Sequence, residues 1–298
     1  MTAPRPERAP ACPVCGGTAI EIYLDGSDRP LEAIELGSSR QHVSPGRILR
    51  CTACRFGFRQ ARSTPEDLAE LYRGMDTSVY ESEIAGRERT ARRHLAIVQR
   101  HARPGRLLDV GCASGLFLAR ALEAGWEVTG VEPSETLYAR ARANLAGRGD
   151  IRCATLEEGR LSPGFDAITL WDVLEHVPDP FSFLCAGRDL LADGGHLFLN
   201  VPDLDSLHSR LFGARWPLLL AEHLNYFTRP SLRLCGERAG LTLVRFGRRP
   251  VSFSVAYIAY RLSQHGIPGA RTVHKIDGPL SRIMIPAFLG ETCAVWRR

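Results

Sequence analysis

Four cysteines near the start of the chain form two pairs with the spacing of a metal-binding site. Two residues separate Cys12 from Cys15, and two separate Cys51 from Cys54. This spacing lets both sulfurs of a pair face one ion, and the glycine within three residues of each pair suits the tight turn. Four thiolates form a closed tetrahedral set that favours a structural Zn²⁺. Free thiols or a redox pair are the alternative, although redox motifs do not usually occur as two matched pairs.

An acid, a glycine turn and a second acid have the spacing of a nucleoside-binding site. Asp109 precedes a turn from Gly111 to Gly115, and Glu132 lies 23 positions after Asp109. Glycine allows close backbone approach, and an acid about 20 residues further on accepts hydrogen bonds from ribose hydroxyls. The turn departs from the Gly-x-Gly-x-x-Gly fingerprint of nicotinamide-binding proteins. This departure disfavours a nicotinamide oxidoreductase. An acid beside the turn would repel a pyrophosphate and suits a cationic nucleoside without phosphate.

Two histidines each follow a glutamate in the sequence. His176 follows Glu175, and His223 follows Glu222. A carboxylate beside an imidazole can fix its tautomer and raise its basicity, so both histidines are candidate general bases. The alternative for each is a structural histidine.

The segment that carries these residues alternates between strand and helix patterns. Alternation of this kind predicts a mostly parallel sheet with helices on both faces. Ligands bind beyond the carboxyl ends of the strands in such sheets. Strands are predicted at 107–110, 127–131, 151–153, 167–171 and 196–201, and helices at 83–101, 116–124, 135–145 and 179–191.

Four motifs resemble those of class I S-adenosylmethionine-dependent methyltransferases and occur in that family's order. They are LLDVGCASG at 107–115, VTGVEPS at 128–134, FDAITLWDVLEH at 165–176 and LLADGGHL at 190–197, the last before strand five. The resemblance covers about residues 106–246 and departs at Ala113, where the family usually has glycine. It implies an α/β fold with a doubly wound, mostly parallel, seven-stranded Rossmann-like sheet, whose last strand, at 291–297, is antiparallel.

The same resemblance implies S-adenosylmethionine as the cofactor. Asp109, Gly111 and Gly115 would line its methionine part, mainly through the backbone. Glu132 would hold the ribose hydroxyls.

The resemblance also assigns residues to the adenine and to the methyl group. Ala154 and Thr155 would flank the adenine, and Trp171 and Asp172 would lie near the sulfonium and the substrate entrance. The alternative for Trp171 is core packing, and the alternative for Asp172 is a helix cap.

The cysteine pairs, the core and a Glu-His pair together resemble deoxysugar C-methyltransferases. Those enzymes carry an N-terminal zinc domain and methylate a carbon next to a ketone on a nucleotide-linked sugar, with histidine as base. The resemblance implies that His176, Glu222 and His223 are active-site residues and that Tyr80 matches the family's N-terminal tyrosine.

Two departures leave the acceptor open. Leu220 stands where a second active-site tyrosine is expected, and only about 50 residues follow Phe246, where that family carries a large C-terminal domain. The Glu-His-Leu-x-Tyr-Phe pattern at 222–227 also occurs in shorter methyltransferases of polysaccharide and natural-product pathways. We therefore predict methyl transfer to a hydroxyl or carbon of a small molecule, including a nucleotide- or lipid-linked sugar.

The composition excludes collagen-like, coiled-coil and wholly disordered proteins. The chain has 298 residues, 44% of them hydrophobic and 24% charged, which is typical of a globular protein. It has no run of about 20 apolar residues, and its polar start lacks the apolar stretch of a secretion signal, so we expect a cytoplasmic protein. The net charge of +5 is not concentrated in a basic block, which disfavours nucleic acid as a partner.

We divide the chain into three parts. Residues 1–62 form a small zinc-ribbon-like module, 63–104 a helical linker or lid, and 105–298 the methyltransferase domain, with an apolar lid or insertion at 251–290. An amphipathic helix is predicted at 251–262; its alternative role is contact with a membrane surface, a lipid-linked acceptor or a second copy. An RNA methyltransferase and a non-catalytic S-adenosylmethionine-binding module stay as alternative functions, and the oligomeric state stays open.

Overall fold

The structure is a computed structural model that describes residues 11–27, 45–61, 84–248, 251–255, 258–259 and 283–298. Its strands are β1 (Ile20–Leu24), β2 (Ile48–Cys51), β3 (Gly57–Arg59), β4 (Arg106–Val110), β5 (Glu127–Val131), β6 (Asp150–Arg152), β7 (Phe165–Trp171), β8 (Leu191–Pro202), β9 (Asn225–Tyr226), β10 (Thr242–Gly247), β11 (Val251–Ser254), β12 (Met284–Ala287) and β13 (Glu291–Arg297). Its helices are α1 (Ile84–Gln99), α2 (Leu116–Glu123), α3 (Glu135–Leu145), α4 (Pro180–Leu190), α5 (Leu207–Phe212) and α6 (Arg229–Arg238), with a short 3₁₀ turn at Gly213–Arg215.

Seven strands form the main sheet, in the order β10-β13-β8-β7-β4-β5-β6. The pairs from β8 to β6 are parallel, and β13 runs antiparallel to both β8 and β10. Apolar side chains are buried on both faces: α1, α2 and α3 contribute to one cluster, and α4 and α6 to the other. This arrangement confirms the predicted fold class, including the antiparallel last strand.

Capping side chains mark the first turns of the helices that follow the strands of the main sheet. Ser134 accepts a hydrogen bond from the backbone of Leu137 at the start of α3, and Asp179 caps α4 through the backbone N–H groups of Phe181 and Ser182. Such caps satisfy backbone N–H groups that have no partner within the helix. The loops between strands and helices are therefore short and held at defined points.

A second sheet joins the N-terminal module to the methyltransferase-like core. Its four strands have the order β1-β2-β3-β9, and all three pairs are antiparallel. The first three strands belong to the module, whereas β9 comes from the Glu-His-Leu-x-Tyr-Phe segment. Phe56 packs edge-on against Phe227, with ring centroids 4.9 Å apart, within an apolar cluster shared with the main sheet.

The structure corrects two sequence predictions. Val251–Ser254 is a strand paired with β12 and not the start of an amphipathic helix, because Val-Ser-Phe-Ser alternates with the period of a strand. Ser252 also accepts a hydrogen bond from the Arg93 guanidinium of α1, at 2.6 Å. In addition, β8 begins at Leu191, five residues before the predicted strand at 196–201, and its register with β7 shifts before Ala167.

No helix in the described part of the chain combines the length and hydropathy needed to cross a bilayer.

Candidate functional site

The four N-terminal cysteines converge on one point. The Sγ atoms of Cys12 and Cys54 lie 3.5 Å apart, as do those of Cys15 and Cys51, and all four lie within 4.8 Å of one another. Four sulfurs bound tetrahedrally at about 2.3 Å lie about 3.8 Å from each other. The donor set and its spacing therefore fit a four-coordinate metal ion such as Zn²⁺.

The two cysteine loops each form a backbone turn of the same type. The N–H of Gly16 donates to the carbonyl of Cys12, and that of Arg55 donates to the carbonyl of Cys51, both at 2.8 Å. Gly16 and Arg55 have positive φ angles of 74° and 63°. The predicted role of glycine in the second turn is wrong, because Arg55 takes the left-handed position. Gly57 instead begins β3, where a Cβ atom would lie 2.8 Å from a neighbouring leucine methyl group.

The glycine turn after β4 leaves no space for larger residues. Gly111, Ala113 and Gly115 have φ angles of 69°, 49° and 74°. A Cβ atom at Gly111 would lie 3.0 Å from Val173, and one at Gly115 would lie 2.5 Å from Leu145. The left-handed conformation at Ala113 explains why glycine suits this position better. This turn forms a cradle at the carboxyl end of β4, where a ligand can approach the backbone.

Two buried carboxyl groups face this turn. Glu132 accepts hydrogen bonds from the N–H groups of Ala113 and Ser134, each at 2.9 Å, and Asp109 accepts one from the Thr169 hydroxyl at 2.6 Å. Burial raises the pKa of Asp109 to about 7, to which the Glu132 charge contributes, and burial also raises the pKa of Glu132. A cationic ligand would stabilise both carboxylates. The site therefore fits the positively charged S-adenosylmethionine.

Trp171 and Asp172 lie at the end of β7 in different environments. The Trp171 ring stacks on the buried His94 of α1, with centroids 3.8 Å apart and planes 16° from parallel. Asp172 is exposed at a φ of 56°, and its backbone N–H donates to the side-chain oxygen of Asn200 at 3.1 Å. The Asn200 amide also donates to the Asp172 carboxylate. The cap of the next helix is Asp179, so Asp172 does not have the alternative role of a helix cap.

The turn after β6 holds the two residues predicted beside the adenine. Thr155 accepts a hydrogen bond from the N–H of Glu158 at 3.3 Å, and the Glu158 carboxylate accepts one from the N–H of Thr155 at 3.1 Å. Ala154 precedes this turn and is half-buried. The pair of hydrogen bonds fixes the backbone at this carboxyl end.

The two candidate bases, His176 and His223, form a pair. Their ring centroids lie 4.8 Å apart with the planes at 80°. Nδ1 of His176 lies 3.1 Å from the backbone oxygen of Glu222, and Nδ1 of His223 lies 3.0 Å from that of Leu218. A carbonyl oxygen only accepts, so each Nδ1 carries the proton and each Nε2 carries a lone pair.

Burial keeps both imidazoles neutral at neutral pH. It lowers the pKa of His176 to about 4 and, together with repulsion from His176, the pKa of His223 to about 3. The Asp172 charge acts in the opposite direction on both rings, and the backbone N–H of His176 donates to the carbonyl of Val173 at 2.9 Å. The pair is therefore near the turn at the end of β7.

Backbone contacts connect the two loops that carry the histidines. The N–H groups of Leu224 and Asn225 both donate to the carbonyl of Glu175, at 2.8 and 3.0 Å. The Asn225 amide donates to the carbonyls of Leu174 and Val177, at 3.1 and 2.6 Å. The loops are thus held together on both sides of His176 and directly after His223.

Arg59 of the N-terminal module supports the same loop. Its side chain is almost fully buried, and Nη1 donates to the carbonyl of Ala221 at 3.0 Å. Its backbone N–H donates to the carbonyl of Leu224 at 2.9 Å. The module therefore contacts the backbone on both sides of His223.

Comparison with known proteins agrees with this geometry. The sequence model of a family described as "Methyltransferase domain" matches residues 82–245, which is more than half of the chain. The chain belongs to this methyltransferase family. The matched region contains the glycine turn, both buried carboxyl groups and the histidine pair.

Curated relatives of this methyltransferase share a shorter region with it. The ubiquinone biosynthesis O-methyltransferase of Dechloromonas aromatica is 40% identical over 100 residues, which cover 32% of this chain and 43% of the relative. The protein of the same name from Xanthomonas campestris is 38% identical over 110 residues, which cover 35% and 46%. The chain thus spans less than half the length of these relatives.

A solved structure confirms the fold of the methyltransferase. The 1,6-didemethyltoxoflavin-N1-methyltransferase of Burkholderia thailandensis has a TM-score of 0.52 and 20% sequence identity. The match covers 83% of this chain and 97% of that protein.

Several residues around the methyltransferase site were not identified from the sequence. These are Arg59, His94, Asn200 and Asn225, which support predicted residues from other elements. Their sequence surroundings give no signal, since each acts through a partner that is distant along the chain. Tyr80, the predicted N-terminal tyrosine, lies outside the described residues.

Proposed function

We propose that this protein transfers a methyl group from S-adenosylmethionine to an oxygen or carbon atom of a small-molecule acceptor. The observation that carries the proposal is the position of the His176–His223 pair beside the cofactor cradle. Val173, which limits the space at Gly111, belongs to the turn that leads to His176. Methyl transfer to a weak nucleophile needs a group that can accept its proton, and the neutral imidazoles provide unprotonated Nε2 atoms next to the cofactor site.

The cradle would hold the cofactor through residues at three strand ends. Asp109, Gly111 and Gly115 would bind its methionine part, and Glu132 would accept hydrogen bonds from the ribose hydroxyls. Each Glu132 oxygen accepts one backbone hydrogen bond and retains a further lone pair for a hydroxyl.

The strand ends on either side would complete the cofactor site. Ala154 and Thr155 would flank the adenine, while Trp171 and Asp172 would lie near the transferable methyl group. When bound, S-adenosylmethionine supplies a methyl group on a positively charged sulfur.

The histidine pair would take up the proton of the acceptor. In both rings the backbone contact at Nδ1 leaves Nε2 as the basic atom. His223 is the first candidate and His176 the second, with Glu222 orienting His176 through its backbone carbonyl. Tyr80 stays a prediction from the resemblance to deoxysugar C-methyltransferases.

Two observations support a small-molecule acceptor. The curated relatives carry names of O-methyltransferases in ubiquinone biosynthesis, which favours a hydroxyl group. The resemblance of residues 222–227 to deoxysugar C-methyltransferases and to shorter methyltransferases of polysaccharide and natural-product pathways favours a sugar or natural-product intermediate, including a nucleotide- or lipid-linked sugar. Nucleotide sugars and hydroxylated aromatics are therefore the acceptors to test first.

The test is turnover of S-adenosylmethionine to S-adenosylhomocysteine with these acceptors. His223→Ala should lower turnover by roughly 10²-fold or more through loss of a general base, while the affinity for S-adenosylhomocysteine is unchanged. The matched control is His196→Ala, since His196 lies in β8 and pairs across the sheet with Ala167, away from the strand ends. Turnover of His223→Ala within about twofold of wild type would remove the catalytic role of His223. Cofactor binding without turnover of any acceptor would favour a non-catalytic binding module.

We also propose that the four cysteines hold a structural Zn²⁺. Four sulfur ligands leave no open coordination position, so the ion would stabilise the module and take no part in methyl transfer. The hydrogen bond between Cys12 and Cys54 lowers the pKa of Cys12 and raises that of Cys54, so binding of a metal by all four thiolates would release protons.

A further inference from the structure

Three side chains beside the cofactor cradle have the composition of a second metal site. The ligand atoms of Glu175, His176 and His223 all lie within 4.8 Å of one another. We propose that this triad binds one divalent transition-metal ion, which in turn binds the oxygen of the acceptor. The inference rests on the proposed methyl transfer for the role of the acceptor, and it replaces the general-base role of the two histidines with that of metal ligands.

The spacing of the triad suits a single ion. Nitrogen and oxygen ligands bind such ions at about 2.0–2.2 Å, so opposite ligands lie up to about 4.4 Å apart. The triad would close around an ion with small side-chain rotations. The two imidazole planes lie at 80° to each other, which lets the rings approach an ion from different directions.

The surroundings of the histidines match those of metal ligands. A metal-bound histidine almost always donates its other ring N–H to a carbonyl or carboxylate, which fixes the tautomer and the ring orientation. His176 and His223 each make this contact with a backbone carbonyl, at 3.1 and 3.0 Å. Glu175 and His223 are buried, and the Asp172 carboxylate adds negative charge nearby.

The ligand types select the class of metal. Two imidazoles and one carboxylate suit Mn²⁺, Fe²⁺, Co²⁺ or Zn²⁺, whereas Mg²⁺ and Ca²⁺ prefer sites made of oxygen ligands. Three protein ligands leave coordination positions open, as in catalytic sites and unlike the closed cysteine site.

The open coordination positions of the ion determine which chemical groups of an acceptor can bind there. They would bind a hydroxyl group, or two adjacent oxygen atoms as in a catechol or a vicinal diol. A bound ion lowers the pKa of a hydroxyl, whose proton passes to solvent. The oxygen lone pair then forms the new C–O bond, and the methyl C–S bond breaks with its electron pair left on sulfur. The histidines would act as ligands in this step and would not take the proton themselves.

The test is a titration with Mn²⁺ followed by electron paramagnetic resonance, using the full-length protein. Thiolates are poor ligands for Mn²⁺, so the cysteine site does not compete. Wild type should bind one Mn²⁺ per chain. Glu175→Gln and His223→Gln should each weaken the Mn²⁺ Kd by at least about 10- to 100-fold, and the matched control His196→Gln should leave it unchanged.

Two results would overturn the metal site. Wild type with no bound Mn²⁺ is one, and an unchanged Mn²⁺ Kd in both Glu175→Gln and His223→Gln is the other. Circular dichroism and S-adenosylhomocysteine affinity report whether each variant folds. If buried Glu175→Gln fails to fold, His176→Gln replaces it with the same expected loss.

Turnover of metal-free protein separates the inference from the proposed function. Removal of the triad metal with a weak chelator, while mass spectrometry shows that the cysteine Zn²⁺ stays bound, should abolish turnover, and Mn²⁺ should restore it. Full turnover of the metal-free protein would overturn the metal's role and leave the histidine base in place. Bound Mn²⁺ without turnover of any acceptor would contradict the proposed function while the metal site stands.

Discussion

Glu132 connects the ends of two strands through its carboxylate. It accepts hydrogen bonds from the glycine turn after β4 and from the start of α3. A glutamine at this position would replace one accepting oxygen with a donor that faces a backbone N–H. Its carboxylate is therefore both a structural acceptor and the proposed ribose ligand.

We expect Glu132→Gln to weaken cofactor binding. The loss of a hydrogen bond to a charged group costs about 1.5–3 kcal/mol, or roughly 10- to 100-fold in the Kd for S-adenosylhomocysteine. Calorimetric titration measures this Kd. Glu135→Gln is the matched control, because Glu135 is exposed in the first turn of α3. An unchanged Kd in Glu132→Gln would show that the second motif does not bind ribose.

The raised pKa of Asp109 predicts that cofactor affinity depends on pH. Near pH 7 about half of this carboxyl group is protonated, and a cationic cofactor favours the carboxylate form. Affinity for S-adenosylmethionine should rise with pH through 7 and fall by up to about tenfold per pH unit below it. Calorimetry between about pH 5.5 and 8.5, which is about 1.5 units on either side of that pKa, measures the effect.

Asp109→Asn is the control for this pH dependence. Asparagine retains an oxygen that can accept from Thr169 but cannot titrate, so the affinity should become flat over the same range. The same pH dependence in Asp109→Asn would assign the effect to another group, such as Glu132.

At the residue scale, the sequence located groups whose chemistry is local. Asp109 and Glu132 were found because the strand–turn–helix pattern places them at known offsets from the glycine turn. His94 and Asn200 could not be found in this way, since they contact Trp171 and Asp172 only after separate elements pack. Whether the predicted site residues bind cofactor or acceptor stays a prediction for the experiments above.

At the scale of elements, β9 is the connection between the N-terminal module and the histidine pair. It has two residues, and it pairs with β3 directly after the loop that holds His223. Arg59 adds a side-chain contact to that loop from β3. A change in the module should therefore reach the histidine pair without affecting the cofactor cradle.

We expect Arg59→Met to destabilise the protein and lower turnover. Loss of the buried guanidinium removes a charged hydrogen bond, at a cost of about 1.5–3 kcal/mol in the free energy of unfolding. Turnover should fall because the His223 loop is less fixed, while the Kd for S-adenosylhomocysteine is retained. Thermal unfolding, kcat and calorimetry measure the three quantities.

Arg47→Met is the matched control for Arg59→Met. Arg47 pairs with the exposed Asp25 at 2.9 Å, and pairs of this kind contribute about 0–1 kcal/mol. Equal effects of the two variants on stability and kcat would contradict the supporting role of Arg59.

Element boundaries can be predicted from the sequence where the apolar residues follow a clear helix or strand pattern. The prediction at 83–101 agrees with α1, and that at 127–131 agrees with β5. The prediction of a helix was wrong at 251–254, where Val-Ser-Phe-Ser alternates like a strand and pairs with β12, whereas residues 255 and 258–259 are helical. The two residues of β9 are too few for any periodic pattern.

At the scale of the whole molecule, the N-terminal module and the main sheet share one apolar cluster. Val14 and Phe58 of the module lie in the same cluster as Leu232 of α6. The sequence predicted both modules but not this contact, because it depends on surfaces that meet only in the folded chain. The predicted domain bounds at 62 and 104 stay predictions.

We expect Cys12→Ser to release the proposed zinc and to destabilise the whole molecule. Since the module and the core share buried surface, scanning calorimetry should show one unfolding transition at a lower Tm, with loss of one Zn²⁺ per chain by mass spectrometry. Cys153→Ser is the matched control, because Cys153 is exposed. An unaltered metal content in Cys12→Ser would end the zinc proposal.

The pairing of β3 with β9 has a consequence for synthesis on the ribosome. The paired residues Gly57 and Tyr226 are about 170 positions apart in the sequence. At about 5–20 residues per second, β3 emerges on the order of 10–30 s before its partner strand. During this interval the nascent chain presents an open strand edge, which can pair with other chains. Early binding of a metal ion by the cysteines would order the module before β9 is synthesised.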